Sequence, residues 1–206
     1  MRLFFTSLLI LVWGCSHDAS VQIAPAINVY SGYSNLIPGK YGVIVNDKIF
    51  EGKADKSTWE CSAHKYPLDA RVAFRESAIR TAENLFEDTE VLSEPIRGEK
   101  ITARGLVGVA IFEGTLFRPE IDFDQNFWSS DAEASVDVGV SVEIHDESGR
   151  IFASRVGATG RGEKDAGALC SGGAKALGKA AEFAIQDALE RSAERLANSP
   201  ELRKNQ

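Results

Sequence analysis

One stretch, Ala132–His145, constrains the fold more than any other. Val136, Val138, Val140, Val142 and Ile144 alternate with Ser135, Asp137, Gly139, Ser141, Glu143 and His145. Successive strand residues point to opposite faces, so the segment reads as a β-strand with one apolar face and one wet face. Such a strand belongs in an antiparallel sheet covered on a single side. Asp146-Glu147-Ser148-Gly149 then reads as a hairpin turn, with Gly149 free to take positive φ, and Arg150–Thr159 as the returning strand.

Two amphipathic segments supply the cover. Ala70–Asp88 repeats Ala78, Ile79, Ala82, Leu85 and Phe86 at three- and four-residue spacing, with Asp69 placed as an N-cap. Ala174–Ala197 lines Leu177, Ala181, Ala184, Ile185, Ala188, Leu189 and Leu196 along one face, with Ser171 as its cap. The fold class that follows is α/β (α+β): a two-layer sandwich, a mostly antiparallel sheet covered on one face by two amphipathic helices. Tyr41–Val45, Thr89–Leu92 and Gly105–Phe117 are further strand segments, the last with Gly114 as a bulge or bend, and Lys48–Phe50 begins another short strand. Arg118–Asp131 is expected to be a long acidic bridge, and Gly160–Gly173 a Gly-rich connector. A chain with 44% hydrophobic and 26% charged residues can bury a real core. Its net charge of −7, with no basic stripe, gives no electrostatic reason to bind nucleic acid.

The chain opens with Arg2, an apolar run from Leu3 to Trp13, and Gly14-Cys15. That run is the length of a signal h-region and short of the ~20 residues of a membrane-spanning helix. Val12-Trp13-Gly14-Cys15 resembles the lipobox of bacterial lipoproteins, with Trp13 where Ala or Ser is usual. The resemblance implies that residues 1–14 are removed and Cys15 is lipidated, and Ser16 in the place after it suggests the outer membrane. Two or more acyl chains hold a protein stably on a bilayer. Residues 15–38 then read as the lipidated N-terminus and tether, residues 39–197 as one domain, and residues 198–206 as a polar tail.

Several features stand in order: the lipobox, the short Val21–Val29 pair around Pro25, Tyr41–Val45, the Ala70–Asp88 helix, the hairpin through Asp146–Gly149, and the Ala-rich last helix. This order resembles the YajG-like family of outer-membrane lipoproteins. The resemblance implies an envelope location and brings no catalytic residues. With Cys15 assigned to lipid, Cys61 and Cys170 remain in a compartment that permits disulfides. A bridge between them would close a loop of roughly 100 residues and contribute about 4–5 kcal/mol; two buried free thiols are the alternative.

No catalytic constellation stands out, and neither a metal nor a cofactor is expected. His17, His64 and His145 have no ligand spacing and read as surface histidines. Gly157–Lys164 lacks the Gly-Lys-Ser/Thr of a phosphate loop. Asp122, Asp124, Asp131 and Glu133 read as solvated loop charges. Phe117, Phe123, Phe127 and Trp128 are candidate partner-binding residues: aromatics in a polar loop either tuck under it or await a partner. The reading that results is a non-enzymatic, lipid-anchored periplasmic protein serving as an interaction or accessory subunit with an envelope protein partner. The alternative is a carrier or receptor for a small amphipathic ligand held between sheet and helices.

Overall fold

The computed structural model describes residues 16–21, 29–56, 61, 63–125, 130–167 and 170–203. In chain order the elements are β1 (Ile37–Asn46), β2 (Glu51–Lys53), β3 (Asp55–Lys56), β4 (Pro67–Asp69), α1 (Arg71–Leu85), β5 (Phe86–Val91), α2 (Glu99–Ala103), β6 (Gly108–Gln125), β7 (Ser130–Asp146), β8 (Gly149–Asp165) and α3 (Gly172–Ala197), followed by a 3-10 turn at Pro200–Arg203. The main sheet runs β5-β1-β6-β7-β8, with β3 added beside β6. The long meander β6–β7–β8 is antiparallel, whereas β1 is parallel to both β5 and β6. The chain is therefore an α+β sandwich with a mixed, mostly antiparallel sheet.

The alternation in β7 sets the layering. Val136, Val138, Val140, Val142 and Ile144 are all buried under α3, in the same main core that takes the buried face of α1. The turn after β7 is the two-residue loop Glu147-Ser148. Asp146 Oδ1 accepts from the Ser148 N–H at 2.8 Å and the Gly149 N–H at 3.0 Å, and Gly149 takes φ 135°. Gly114 marks a register shift in the β6–β7 ladder, and a Cβ there would strike the Ile49 and Phe50 side chains.

Five sequence expectations need correction. Arg118–Asp131 is no bridging loop: β6 and β7 stay paired from Val109 opposite His145 out to Gln125 opposite Ser130. Its aspartates hide the strand because they fall on the outward side, while Ile121 and Phe123 point into the core. Gly160–Asp165 is likewise strand rather than connector, completing β8. Its glycines serve contact with the helix. A Cβ on Gly160 would lie 2.6 Å from the Ala184 nitrogen and overlap the Ala180 carbonyl, and one on Gly162 would overlap the Ala176 carbonyl. The stripe Ala176, Ala180, Ala184 of α3 thus sits directly on the β8 backbone.

The third correction is that the sheet carries a second, smaller core on its other face. Val109 and Ile111, in the strand expected over Gly105–Phe117, point away from α1 and α3. They pack with Leu92, Ile101 and Leu106 beneath α2. The fourth concerns the ends. Residues 29–38 are not a free spacer, because Asn198 donates to the Tyr30 carbonyl at 2.7 Å and accepts from the Gly32 N–H. Residues 200–203, read as part of a polar tail, pack onto the body: Arg203 is buried, donates to the carbonyls of Ala197 and Asn35, and lies over the Tyr33 ring at 4.1 Å. Finally, α1 stops at Leu85 rather than Asp88, because Phe86 turns extended and stacks on Tyr41 at 4.3 Å. Its N-cap residue is Ala70; Asp69 still accepts the Arg71 N–H at 3.1 Å.

Candidate functional site

Ser16, the first described residue, follows the candidate lipid-bearing Cys15, which lies outside the described residues. The chain after it does not leave the body. Ser16 and Ala19 form parallel bridges to Lys65 and Leu68 along the β4 edge. The His17 N–H donates to the Lys65 carbonyl at 2.9 Å and the Ala19 N–H to the Pro67 carbonyl at 3.1 Å. Ser20 then lies against α3 at Gly178, where a Cβ would overlap its carbonyl oxygen. The tether expected from residue 15 is thus sewn to the body at residues 16–21. Backbone pairing needs no side-chain pattern, so the sequence carries no sign of it.

The same end of the molecule holds the disulfide. Cys61 and Cys170 are bridged, with Cα atoms 6.0 Å apart. Tyr66 sits beneath the bridge: its hydroxyl donates to the Cys170 carbonyl at 2.8 Å, its ring lies 5.6 Å from Phe123, and burial pushes its pKa up to about 12. Lys56 donates to the Cys61 carbonyl at 3.2 Å and also to the His64 carbonyl. These contacts tie the N-terminal segment, the disulfide and the far end of the β6–β7 hairpin together.

His17 and His64 are not isolated surface side chains. Their rings stack with centroids 5.0 Å apart, and His17 Nε2 and His64 Nδ1 share a hydrogen bond of 2.9 Å. The bond requires an acceptor nitrogen, so at most one ring is cationic. Burial is the main cause that lowers the His64 pKa from 6.5, followed by the neighbouring His17 and Lys56. A histidine whose pKa falls on folding contributes stability that is present above its unfolded value and is lost as pH falls through the folded one. Lowering the pH from 7.5 to 5 is therefore expected to loosen residues 16–21. Hydrogen exchange at the His17 and Ala19 amides, corrected for the intrinsic rate, should quicken by about tenfold. Protection unchanged across that range would exclude the pair as a latch.

The aromatic candidates divide. Phe123 is a core ring against Tyr66, and Phe117 is half-buried, edge-on to Phe50 at 5.4 Å. Their inward register makes both rings part of the core rather than open contacts. Phe127 and Trp128 lie outside the described residues. Asp122 and Glu133 face each other in register, as do Asp124 and Asp131, with Glu163 and Asp165 next to them on β8. That end of the outward sheet face is consequently rich in carboxylates. His145 lies at the other end of β7, where its Nε2 meets Glu143 Oε2 at 3.0 Å. Among the described residues no three His, Cys, Asp or Glu side chains gather as a metal site.

Together the sheet order, the two covering helices and the pinned, disulfide-braced N-terminal segment define an α+β sandwich. No family model matches the chain, and no curated protein matches it in sequence. Solved structures resemble it loosely. A DUF330 protein from Xanthomonas campestris is 9% identical, covering 89% of this chain and 92% of that one, with a TM-score of 0.45. A minor lipoprotein from Acinetobacter baumannii is 8% identical over 79% and 93% of the two chains, with a TM-score of 0.41. The PelC dodecamer from Paraburkholderia phytofirmans is 16% identical over 82% and 95%, with a TM-score of 0.40. Among the described residues no helix is long and apolar enough to cross a membrane.

Proposed function

We propose that this chain is a YajG-like outer-membrane lipoprotein, lipidated on Cys15, whose α+β body acts without catalysis as an interaction or accessory subunit in the periplasm. One observation carries the reading beyond the lipobox. Ser16 and Ala19 are bonded into the body at the disulfide-braced end. An acylated Cys15 would therefore present that end, where Tyr66 packs on Phe123 of β6, to the membrane at short range. A free leash would let the body turn at will; this attachment gives it one orientation for a partner.

Mass spectrometry of the mature N-terminus tests the anchor. The expected product begins at a triacylated or diacylated Cys15, and Cys15→Ser should release the body from the membrane fraction. A product that keeps its leader, or starts elsewhere, would overturn the anchor. For the subunit role, crosslinking in native envelopes should yield one partner in constant ratio, lost on substitution of Phe127 and Trp128. Recovery of abundant proteins alone, unaffected by those changes, would count against it. The carrier reading gains no support from the helix–sheet layer: at Gly160 and Gly162 the backbone of α3 lies against β8 with no room for a ligand.

A further inference from the structure

The half of the sheet away from the pinned N-terminus carries a groove of about 510 Å³ on the outward face. Topology creates it. β1 and β5 are parallel neighbours whose following connections part to opposite faces. The chain after β1 goes to α1 and the main core, and the chain after β5 goes to α2 and the second core. Parallel strands whose connections separate in this way open a crevice at their C-terminal ends, where ligands of open α/β sheets bind. Here β1 ends at Asn46, opposite Glu113, while β6 and β7 run on and form the far wall.

The two walls differ in charge. On the near side Lys48 and Arg97 are exposed cations, and neither is engaged by a partner among the described residues. Arg75, which also lines the groove, is committed to the buried Asp47 at 2.7 Å. On the far side Glu113 accepts from Asn46 Nδ2 at 3.0 Å, and Glu143 accepts from Arg150 Nη1 at 3.0 Å and contacts His145 Nε2 at 3.0 Å. His145 and Arg150 hold the Glu143 carboxyl below the usual carboxylate range, so it stays anionic at neutral pH. Each carboxylate keeps lone pairs to spare. Ile44 and Ile111, side by side in register and half-buried, lie between the walls.

The geometry points to a binding site for a small zwitterion with an aliphatic part, a free amino acid or a dipeptide. Its carboxylate is taken by Lys48 and Arg97, its ammonium by Glu113 and Glu143, and its aliphatic part by the Ile44–Ile111 floor. A simple anion would meet two carboxylates across the groove, and a simple cation two unpaired basic groups. Only a ligand carrying both charges satisfies both walls. This site goes beyond the accessory-subunit reading and does not depend on the anchor.

Calorimetric titration of the purified full chain with Ala-Leu, N-acetyl-Ala-Leu and Ala-Leu-amide tests it. Ala-Leu should bind saturably in about the millimolar range, and capping either end should weaken binding by about tenfold. Arg97→Ala should weaken Ala-Leu and leave the amide unchanged, while Glu113→Gln should weaken Ala-Leu and leave the acetylated form unchanged. This crossed pattern separates a lost contact from a damaged fold, which would impair every ligand. No saturable binding of Ala-Leu at about 20 mM, or equal binding of all three peptides, would overturn the site.

Discussion

Breaking the Cys61–Cys170 disulfide, by reduction or by the double change Cys61→Ser and Cys170→Ser, is expected to lower the unfolding free energy by about 2–5 kcal/mol. The bridge spans 109 residues of sequence, so it removes a large share of the conformations open to the unfolded chain. Part of that gain is offset in the native state. Both half-cystines sit in the left-handed backbone region, at φ 56° and 60°, which costs each roughly 1–2 kcal/mol. Loss of the bridge also frees the carbonyls that Tyr66 and Lys56 hold, so the N-terminal segment should loosen with it. Urea unfolding with and without reductant checks the prediction. An unchanged midpoint at unchanged slope would show that the bridge contributes nothing to stability.

Gly160→Val is expected to be more damaging, costing more than about 4 kcal/mol or abolishing soluble expression. Its side chain would have to enter the backbone of α3 at Ala180 and Ala184, and neither a carbonyl nor a helical N–H can move aside without lifting the helix from the sheet. Gly157→Val is the matched control three residues earlier on β8. A Cβ there meets only the Val138 carbonyl, at 3.9 Å, so the same change should fall within about 0.5 kcal/mol of the parent. Thermal unfolding of the two variants side by side decides the matter. Similar stability for both would mean that α3 does not rest on β8 as described.

Gly160 and Gly162 also show where sequence reasoning stops. A Gly-rich run is what a flexible connector and a close helix-on-strand contact have in common, and the local pattern does not separate them. The facing stripe Ala176, Ala180, Ala184 was the available signal, since small residues on both partners let backbones approach. In the same way the outward aspartates of Arg118–Asp131 imitate a loop. Only their alternation with Ile121 and Phe123 betrays a strand, and that alternation is short.

Local physics settled much of this protein from the chain alone. Alternation at every second residue requires β7 and its two faces, three- and four-residue spacing requires α1 and α3, and Gly149 permits the tight turn between β7 and β8. Each of these signals arises within one element. Tertiary structure decided what depends on two distant elements meeting: the parallel placing of β1 between β5 and β6, the second core under α2, the His17–His64 pair across 47 residues, and the pinning of residues 16–21 beside β4. Backbone hydrogen bonds make the first and last of these, and every non-proline residue can supply them, so no residue type announces where they form.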